Sequence, residues 1–248
     1  MKISIITICF NAGAYLEEAL NSFFSQDYNN KELVIIDGGS TDKTLDILNR
    51  YKSQFGYFVS EKDNGLYDAL NKGIKNSTGD IIGILHADDL LAYPQVLSDV
   101  ANQLIITGAD SLYADLNYVK QDGKTIHRNW ISGNYEKGKF AKGWMPPHPT
   151  FFAKKELFEK YGLYNTSFKQ AADYELMLRF LHKHLVSVTY LAKVISLMRV
   201  GGKSNVSIKN RLNANKEDYL AWKINNLKPP FGFRLIKPLS KLEQFFRS

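Results

Sequence analysis

Two adjacent carboxylates, Asp88 and Asp89, stand directly after the apolar run 81–85. An uninterrupted apolar run is typical of a strand buried in a parallel sheet. Ligands of open α/β proteins bind at the carboxyl ends of such strands. Carboxylate oxygens are preferred by hard divalent cations, which also bind phosphates. The pair therefore predicts a place that holds a metal ion and a phosphate.

Two further acidic residues follow apolar runs in the same way. Asp37 comes directly after the second run and precedes two glycines, and Asp63 comes shortly after the third. Glycines beside a carboxylate let the backbone approach a flat ligand closely. Helix capping would explain Asp88 or Asp89 alone, but it does not explain Asp37. Three successive strands thus deliver carboxylates to one sheet edge, which favours a binding site.

Apolar runs alternate with helical periodicity in the part of the chain that must position these residues. The pattern predicts strands at 2–9, 33–36, 57–60 and 80–85, and helices at 14–24, 41–51, 66–75 and 94–106. Beyond residue 110 it predicts a hairpin of 111–119 with 125–130, a mobile loop at 132–149, helices at 173–184 and 208–227, and a strand at 186–191. Such alternation indicates an α/β fold with a mostly parallel sheet that is covered on both faces.

Composition limits the class of protein. The chain has 248 residues, of which 44% are hydrophobic and 23% charged, as in soluble globular proteins. Its apolar runs are far shorter than the roughly 20 residues that span a bilayer, and no signal-peptide pattern follows Met1, so we expect a cytoplasmic protein. The single cysteine, Cys9, lies in an apolar run and is expected to be a buried core thiol rather than a nucleophile.

The net charge of +7 resides in the carboxyl-terminal segment. Phenylalanine and leucine residues alternate there with lysine and arginine over 230–248. This composition is typical of a segment at an anionic membrane surface, although a helix that packs its apolar side on the body of the protein is an alternative. Nucleic acid is not an expected partner, because no nucleic-acid-binding motif accompanies the basic residues.

Five motifs occur in an order that resembles glycosyltransferase family 2. They are Ile5-Ile6-Thr7-Ile8-Cys9-Phe10-Asn11, Ile35-Ile36-Asp37-Gly38-Gly39-Ser40-Thr41-Asp42, Asn71-Lys72-Gly73, His86-Ala87-Asp88-Asp89 and Ala172-Asp173-Tyr174-Glu175. The resemblance covers about residues 1–200. It implies the GT-A fold, a Rossmann-like nucleotide-binding α/β/α sandwich, and transfer of a sugar from a nucleotide-sugar donor with inversion at the anomeric carbon.

The resemblance also suggests how the chain is divided and what it makes. We expect a nucleotide-sugar-binding half at 1–110, an acceptor-binding and catalytic half of the same domain at 111–205, and a carboxyl-terminal helix with a basic amphipathic tail at 206–248. The segment 60–73 is similar to the branch that builds bacterial capsule, exopolysaccharide and O-antigen. The implied acceptor is a saccharide or a polyprenyl-diphosphate-linked saccharide, and a UDP-sugar is the favoured donor.

Donor-side roles follow from the same motifs. Asp37 resembles the residue that accepts a hydrogen bond from the nucleobase; many relatives have a second Asp where this chain has Gly38. Asp88 takes the position of the metal-binding Asp in the family's Asp-any-Asp signature. His86 replaces the first Asp of that signature, so Mg²⁺ is at least as plausible as Mn²⁺. The implied nucleotide-sugar-binding residues are Ile8, Asn11, Asp37, Asp63, Lys72, Ala87, Asp88 and Asp89.

Acceptor-side roles are carried over in the same way. Asp173 matches the family's general base, which removes the proton of the acceptor hydroxyl; a helix N-cap is the alternative. His148 and Arg199 resemble residues on the acceptor or diphosphate side, and Arg199, which precedes the segment 200–204, is expected to touch the donor diphosphate when this loop closes. Glu175 and Arg179, spaced i and i+4, are expected to form an ion pair on a helix surface.

Two other functions remain compatible with the residues alone. A sugar-phosphate nucleotidyltransferase also combines an α/β fold with acidic metal ligands, although the segment 11–14 is a poor version of its Gly-rich loop. A non-catalytic scaffold could keep the same fold.

Overall fold

The computed structural model describes residues 1–201 and 208–231. Within them the strands are β1 (Ile3–Cys9), β2 (Lys31–Asp37), β3 (Tyr57–Ser60), β4 (Ile81–Ile84), β5 (Leu90–Leu91), β6 (Ser111–Val119), β7 (Ile126–Trp130), β8 (Phe152–Lys154) and β9 (Val188–Arg199). The α-helices are α1 (Leu16–Phe24), α2 (Thr44–Tyr51), α3 (Leu66–Asn76), α4 (Val96–Thr107), α5 (Lys155–Tyr161), α6 (Ala172–Met177) and α7 (Ile208–Ile224). Most of the predicted basic tail, 232–248, lies outside the described residues.

One sheet runs through the described chain in the order β3-β2-β1-β4-β8-β6-β9-β5, with β7 paired to β6. The first four of these strands are mutually parallel, as predicted. The chain turns from one side of β1 to the other between β3 and β4, which creates a switch point at the carboxyl ends of β1 and β4. Asp88 and Asp89 follow β4 at this point.

Alternate side chains of the central strands enter two different cores. Ile3 and Ile5 pack with α1, α2 and α4 on one face of the sheet. Ile6 packs with α3 and α6 on the other. A strand covered on both faces needs apolar residues at every position, which explains its continuous apolar run. Cys9 is buried in this layer, as expected, and burial raises the pKa of its thiol.

The second half of the sheet differs from the prediction. β9 extends to Arg199 and pairs in parallel with β6 along its length, whereas a strand ending at residue 191 was expected. The short strands β5 and β8 and the helix α5 were not predicted, and β8 runs antiparallel to both β4 and β6. Two- and three-residue strands are too short for their periodicity to be recognised.

The segment 132–149 is also more regular than a loop. It contains the 3₁₀ turn Lys139–Lys142 and leads into a second, His148–Thr150. Phe140 is fully buried, and the indole of Trp144 donates a hydrogen bond to the carbonyl of Ser132. Aromatic packing thus fixes a segment whose Gly, Pro and Lys content indicated a loop.

Candidate active site

The loops after β1 and β2 are joined by hydrogen bonds. Asn11 adopts a left-handed backbone conformation with φ of 51°, which Asn tolerates better than most residues. Its side-chain oxygen accepts a hydrogen bond from the Thr41 amide at 2.9 Å, and its own amide donates to the Ser40 hydroxyl at 2.8 Å. The two loops therefore form one rigid rim at the carboxyl edge of the sheet.

Asp37 lies beneath this rim and is fully buried. Its carboxylate accepts hydrogen bonds from the Gly39 and Ser40 amides and from the hydroxyls of Ser40 and Ser60. These contacts fold the loop that follows β2. A nucleobase would have to displace one of these donors to reach the carboxylate.

Asp63 is partly exposed beside Gly38. A Cβ on residue 38 would lie 2.5 Å from Oδ2 of Asp63, so the Asp63 carboxylate occupies the space that a side chain there would need. Its other oxygen accepts a hydrogen bond from the Gly65 amide at 2.8 Å. The absence of a side chain at residue 38 thus allows Asp63 to approach the rim.

The other donor-side residues have mainly structural contacts. Lys72 places its ammonium group 2.7 Å from Glu61 and 3.7 Å from Asp68, so a phosphate would compete with two carboxylates. Ala87 is buried among the residues that pack with α1 and α4. Ile8 is half-buried against the core on the α3 side.

Asp88 and Asp89 point into different environments. Asp88 is partly exposed. Asp89 is buried, its Oδ1 accepts a hydrogen bond from the Arg199 amide at 3.2 Å, and its Oδ2 has no hydrogen-bond partner. Burial, followed by the charge of Asp88, raises the pKa of Asp89 well above its usual value. Asp88 is therefore the member of the pair with an accessible carboxylate.

A divalent cation fits this sheet edge only if the phosphates of the nucleotide-sugar donor supply some of its ligands. No cluster of three or more His, Cys, Asp or Glu that could hold a metal occurs among the described residues. Mg²⁺ in nucleotide enzymes is commonly held by one or two carboxylates together with phosphate oxygens and water. Asp88, with the partnerless buried oxygen of Asp89 behind it, suits such a site.

Asp173 lies in the first turn of α6 and is four-fifths buried at its side chain. The helix amino terminus favours its ionised form. The hydroxyl of Tyr67 approaches its Oδ1 at 3.4 Å, and Nδ1 of His148 approaches its Oδ2 at 3.3 Å. Burial and the negative charge of Asp173 raise the pKa of Tyr67 far above its usual value, so this hydroxyl keeps its proton.

His86 connects the end of β4 with the Asp173 side of the site. Its Nε2 lies 3.2 Å from Nε2 of His148, and the two rings meet edge to face. Burial lowers the pKa of each histidine to about 4, so both imidazoles are neutral at pH 7. The charges of Asp88 and Asp173 act on His86 in the opposite direction to burial and the charge of His148.

Arg199 is the last residue of β9 and is 2% exposed; most of the following segment, which was expected to close over the donor, lies outside the described residues. Its guanidinium donates to the Asp88 carbonyl at 2.7 Å, pairs with Glu18 and stacks on the Tyr15 ring. Together with the hydrogen bond from the Arg199 backbone amide to Asp89, these contacts fix the turn that carries both carboxylates.

The expected surface position of Glu175 and Arg179 is also wrong. Both residues are buried, and they form a two-pronged ion pair with nitrogen to oxygen distances of 2.9 and 3.0 Å. The segment 161–163 covers them and supplies three carbonyl acceptors to the guanidinium. Spacing along a helix reveals a pair but not what packs over it.

Sequence reasoning did not identify Tyr67 as part of the site. It lies in α3, 106 residues before Asp173, within the segment used for the family resemblance. Its helical spacing favours a core role, and only the packing of α3 against α6 brings its hydroxyl to the carboxylate.

The protein has the GT-A fold, with a four-stranded parallel half-sheet, acidic residues at its carboxyl edge and a mixed second half. S. aureus TarS in complex with UDP-GlcNAc has this fold: the similarity has a TM-score of 0.70 at 19% identity and covers 100% of this chain and 74% of the other. The structure of a mannosyltransferase from Pyrobaculum calidifontis, solved with GDP-Man and Mn²⁺, is similar with a TM-score of 0.69 at 19% identity. The similarity covers 96% of this chain and 68% of the mannosyltransferase chain. In another TarS structure the chain corresponds to 44% of the polypeptide.

The chain belongs to glycosyl transferase family 2, whose family model matches residues 4–169. An uncharacterized glycosyltransferase of Mycobacterium tuberculosis is 33% identical over 178 residues, which cover 71% of this chain and 68% of the relative. The PGL/p-HBAD biosynthesis glycosyltransferase of Mycobacterium bovis is 30% identical over 209 residues, or 83% and 80% of the two chains. The protein is therefore a glycosyltransferase, and this assignment decides against a sugar-phosphate nucleotidyltransferase.

Proposed function

We propose that the protein transfers a sugar, with inversion, from a nucleoside diphosphate sugar to a saccharide or lipid-linked saccharide during the synthesis of a bacterial cell-surface polysaccharide such as capsule or O-antigen. Asp173 is the general base, and Asp88 is the protein ligand of a divalent cation. The observation that carries the proposal is the chain of contacts from His86, two residues before Asp88, to His148 at 3.2 Å and from His148 to Asp173 at 3.3 Å. An inverting displacement needs a leaving-group site and a base on opposite sides of one sugar.

The rim formed by the first two loops is the proposed donor pocket. Asn11 and Asp37 shape it, Asp63 offers it a partly exposed carboxylate, and Ile8 lines its apolar side. A UDP-sugar is the favoured donor; structural neighbours were solved with UDP-GlcNAc and with GDP-Man. A bound Mg²⁺ or Mn²⁺ would neutralise charge on the departing diphosphate.

Donor binding can be measured before the acceptor is known. Thermal-shift measurements with UDP-, GDP-, dTDP- and CMP-sugars, each with and without Mg²⁺ or Mn²⁺, should reveal one nucleotide that stabilises the protein, and more so with metal. No stabilisation by any of these nucleotides would contradict the proposed donor class.

Asp173→Asn separates catalysis from binding. The amide cannot accept the acceptor proton, so transfer should fall by about 10²-fold or more, while the donor-induced thermal shift stays within error of the wild type. Asp27→Asn is the matched control, since Asp27 is exposed in the loop between α1 and β2, at the amino edge of the sheet. A variant Asp173→Asn with wild-type transfer would remove Asp173 from the mechanism.

Membrane contact is the second part of the proposal. In the part of the chain that is described, no helix is long and apolar enough to cross a bilayer. One face of α7 nevertheless exposes Lys216, Leu220, Lys223 and Ile224, at positions i, i+4, i+7 and i+8. Exposed lysines and apolar side chains on one face suit an anionic lipid surface. This face continues the basic composition of 230–248 and would bring a lipid-linked acceptor to the enzyme.

Vesicle sedimentation tests this contact. Deleting residues 230–248, or introducing Lys216→Glu with Lys223→Glu, should release the protein from phosphatidylglycerol vesicles, with each charge worth about 1 kcal/mol near the surface. Lys75→Glu with Lys124→Glu is the control for net charge, because both lysines are exposed elsewhere. If both double variants lose vesicle binding equally, net charge alone explains the binding. If the deletion leaves vesicle binding unchanged, the segment 230–248 does not contact the membrane and instead packs on the protein.

A further inference from the structure

Three side chains from distant parts of the sequence form a continuous polar chain across the site. His86 follows β4, His148 begins the 3₁₀ turn His148–Thr150, and Asp173 lies in α6. Successive atoms are 3.2 Å apart between the two imidazoles and 3.3 Å apart between His148 and Asp173. Each distance is compatible with a hydrogen bond once the group that donates is assigned.

The negative charge of Asp173 determines which nitrogen of each histidine carries the proton and donates a hydrogen bond. A carboxylate only accepts hydrogen bonds, so Nδ1 of His148 carries the proton that faces Asp173. A neutral imidazole has one protonated nitrogen, which makes Nε2 of His148 an acceptor. Nε2 of His86 must then carry the proton between the rings. One arrangement of protons satisfies the whole chain, and it runs from His86 to Asp173.

Two tyrosines among the described residues lie near Asp173 and leave this order unchanged. The hydroxyl of Tyr67 in α3 lies 3.4 Å from Asp173, and the negative charge of Asp173 also acts on Tyr164 in the segment before α6. Burial raises the pKa of each above its usual value, so both hydroxyls are neutral. The hydroxyl of Tyr67 lies near Oδ1 of Asp173, and Nδ1 of His148 lies near Oδ2.

Resting on the base assignment made above, we propose that His148 and His86 are positioning residues: His148 orients the Asp173 carboxylate, and His86 fixes the tautomer of His148 that does so. This gives His86 a reason to replace the signature's first Asp. A carboxylate at residue 86 would accept rather than donate, and it would place a proton on Nε2 of His148. His148 would then become a cation between two carboxylates and make Asp173 a weaker base.

Substitutions of His148 distinguish the effect of its hydrogen bond to Asp173 on catalysis from the effect of its side-chain shape. Asn and Leu have similar size, but only the Asn amide can donate from near the Nδ1 position. His148→Leu should lower kcat about 10²-fold, as expected when a catalytic group is misplaced, and His148→Asn should be about tenfold more active than His148→Leu. The donor KM should stay nearly constant in both, assayed with UDP-GlcNAc and GDP-mannose. Equal kcat in the two variants, or a loss confined to KM, would overturn the positioning role.

Nitrogen-15 NMR of the imidazoles tests the proton arrangement without any substrate. The wild type at pH 7 should show His148 protonated at Nδ1 and His86 protonated at Nε2. His86→Gln, which can still donate, should leave His148 neutral, whereas His86→Glu, which has a similar shape, should make it doubly protonated.

Two results would overturn the proposal. The first is a His148 tautomer protonated at Nε2 in the wild type. The second is the same protonation state of His148 in His86→Gln and His86→Glu, because His86 would then not determine which nitrogen of His148 carries the proton. If Asp173→Asn instead stays active while the NMR pattern holds, the base assignment fails and the proton arrangement stands.

Discussion

The buried guanidinium of Arg179 yields a prediction about the helix that carries Asp173. The Arg179 side chain is 11% exposed, and the carboxylate of Glu175 that it meets is 3% exposed. The same group donates to the Gly162 and Leu163 carbonyls at 2.7 and 2.8 Å. Arg179 thus joins α6 to the segment after α5 and neutralises a buried charge.

Arg179→Ala would leave Glu175 buried without its cation. Breaking a buried ion pair in this way typically costs about 3–5 kcal/mol. We expect a value near 3 kcal/mol, because Asn225 still donates a hydrogen bond to Glu175 at 2.8 Å. For a chain of this size such a loss lowers the unfolding midpoint by about 6–12 °C.

The assay is urea unfolding followed by tryptophan fluorescence and by circular dichroism, with the free energy of unfolding extrapolated to water. Arg50→Ala is the matched control, because its ion pair with Glu17 is exposed, at 57% and 46% for the two side chains. Exposed pairs contribute at most about 1 kcal/mol. If the two variants lose equal stability, the buried pair does not hold α6 in the way the structure indicates.

Three further outcomes are expected. Asp88→Ala should abolish the metal dependence of the donor-induced thermal shift, and unchanged dependence would move the protein ligand elsewhere. Gly38→Ala should weaken donor binding about tenfold by displacing the Asp63 carboxylate, whose Oδ2 lies 2.5 Å from the added Cβ; isothermal titration measures this, and wild-type affinity would contradict a role for the carboxylate. Burial lowers the pKa of His148 from 6.5 to about 4. Between these two pH values the imidazole is protonated in the unfolded chain but neutral in the folded protein. Stability should therefore fall as the pH is lowered from 6.5 towards 4, and urea midpoints for His148→Asn should show a shallower fall.

The parallel half of the fold was predictable because its signals are local. The eight elements expected before residue 110 occur in the structure with bounds that differ by at most three residues. Continuous apolar runs identify strands covered on both faces, and the first acidic residue after such a run must lie at the sheet edge. Asp37 and Asp88 could therefore be selected from the sequence, and Asp173 through the family resemblance, although their roles stay proposals.

The second half was not predictable in the same way. β9 pairs with β6 through residues about 77 positions apart, such as Ser111 with Val188, and its exposed and buried residues do not alternate regularly. β8 has three residues and owes its place to strands on either side. Such strand pairings depend on which other strands lie next to them, and they do not appear as hydrophobic periodicity in the sequence.

The sequence by itself determined the α/β class, the family and the acidic edge, because these follow from hydrophobic periodicity and from motifs within a few residues. Only the tertiary structure decided the surroundings of each charged group. It buried Arg179 and Arg199, brought Tyr67 to a carboxylate 106 residues away, and linked His86 to Asp173 through His148. The physical reason is that burial and hydrogen-bond partners belong to pairs of elements in contact, and no single segment contains that information.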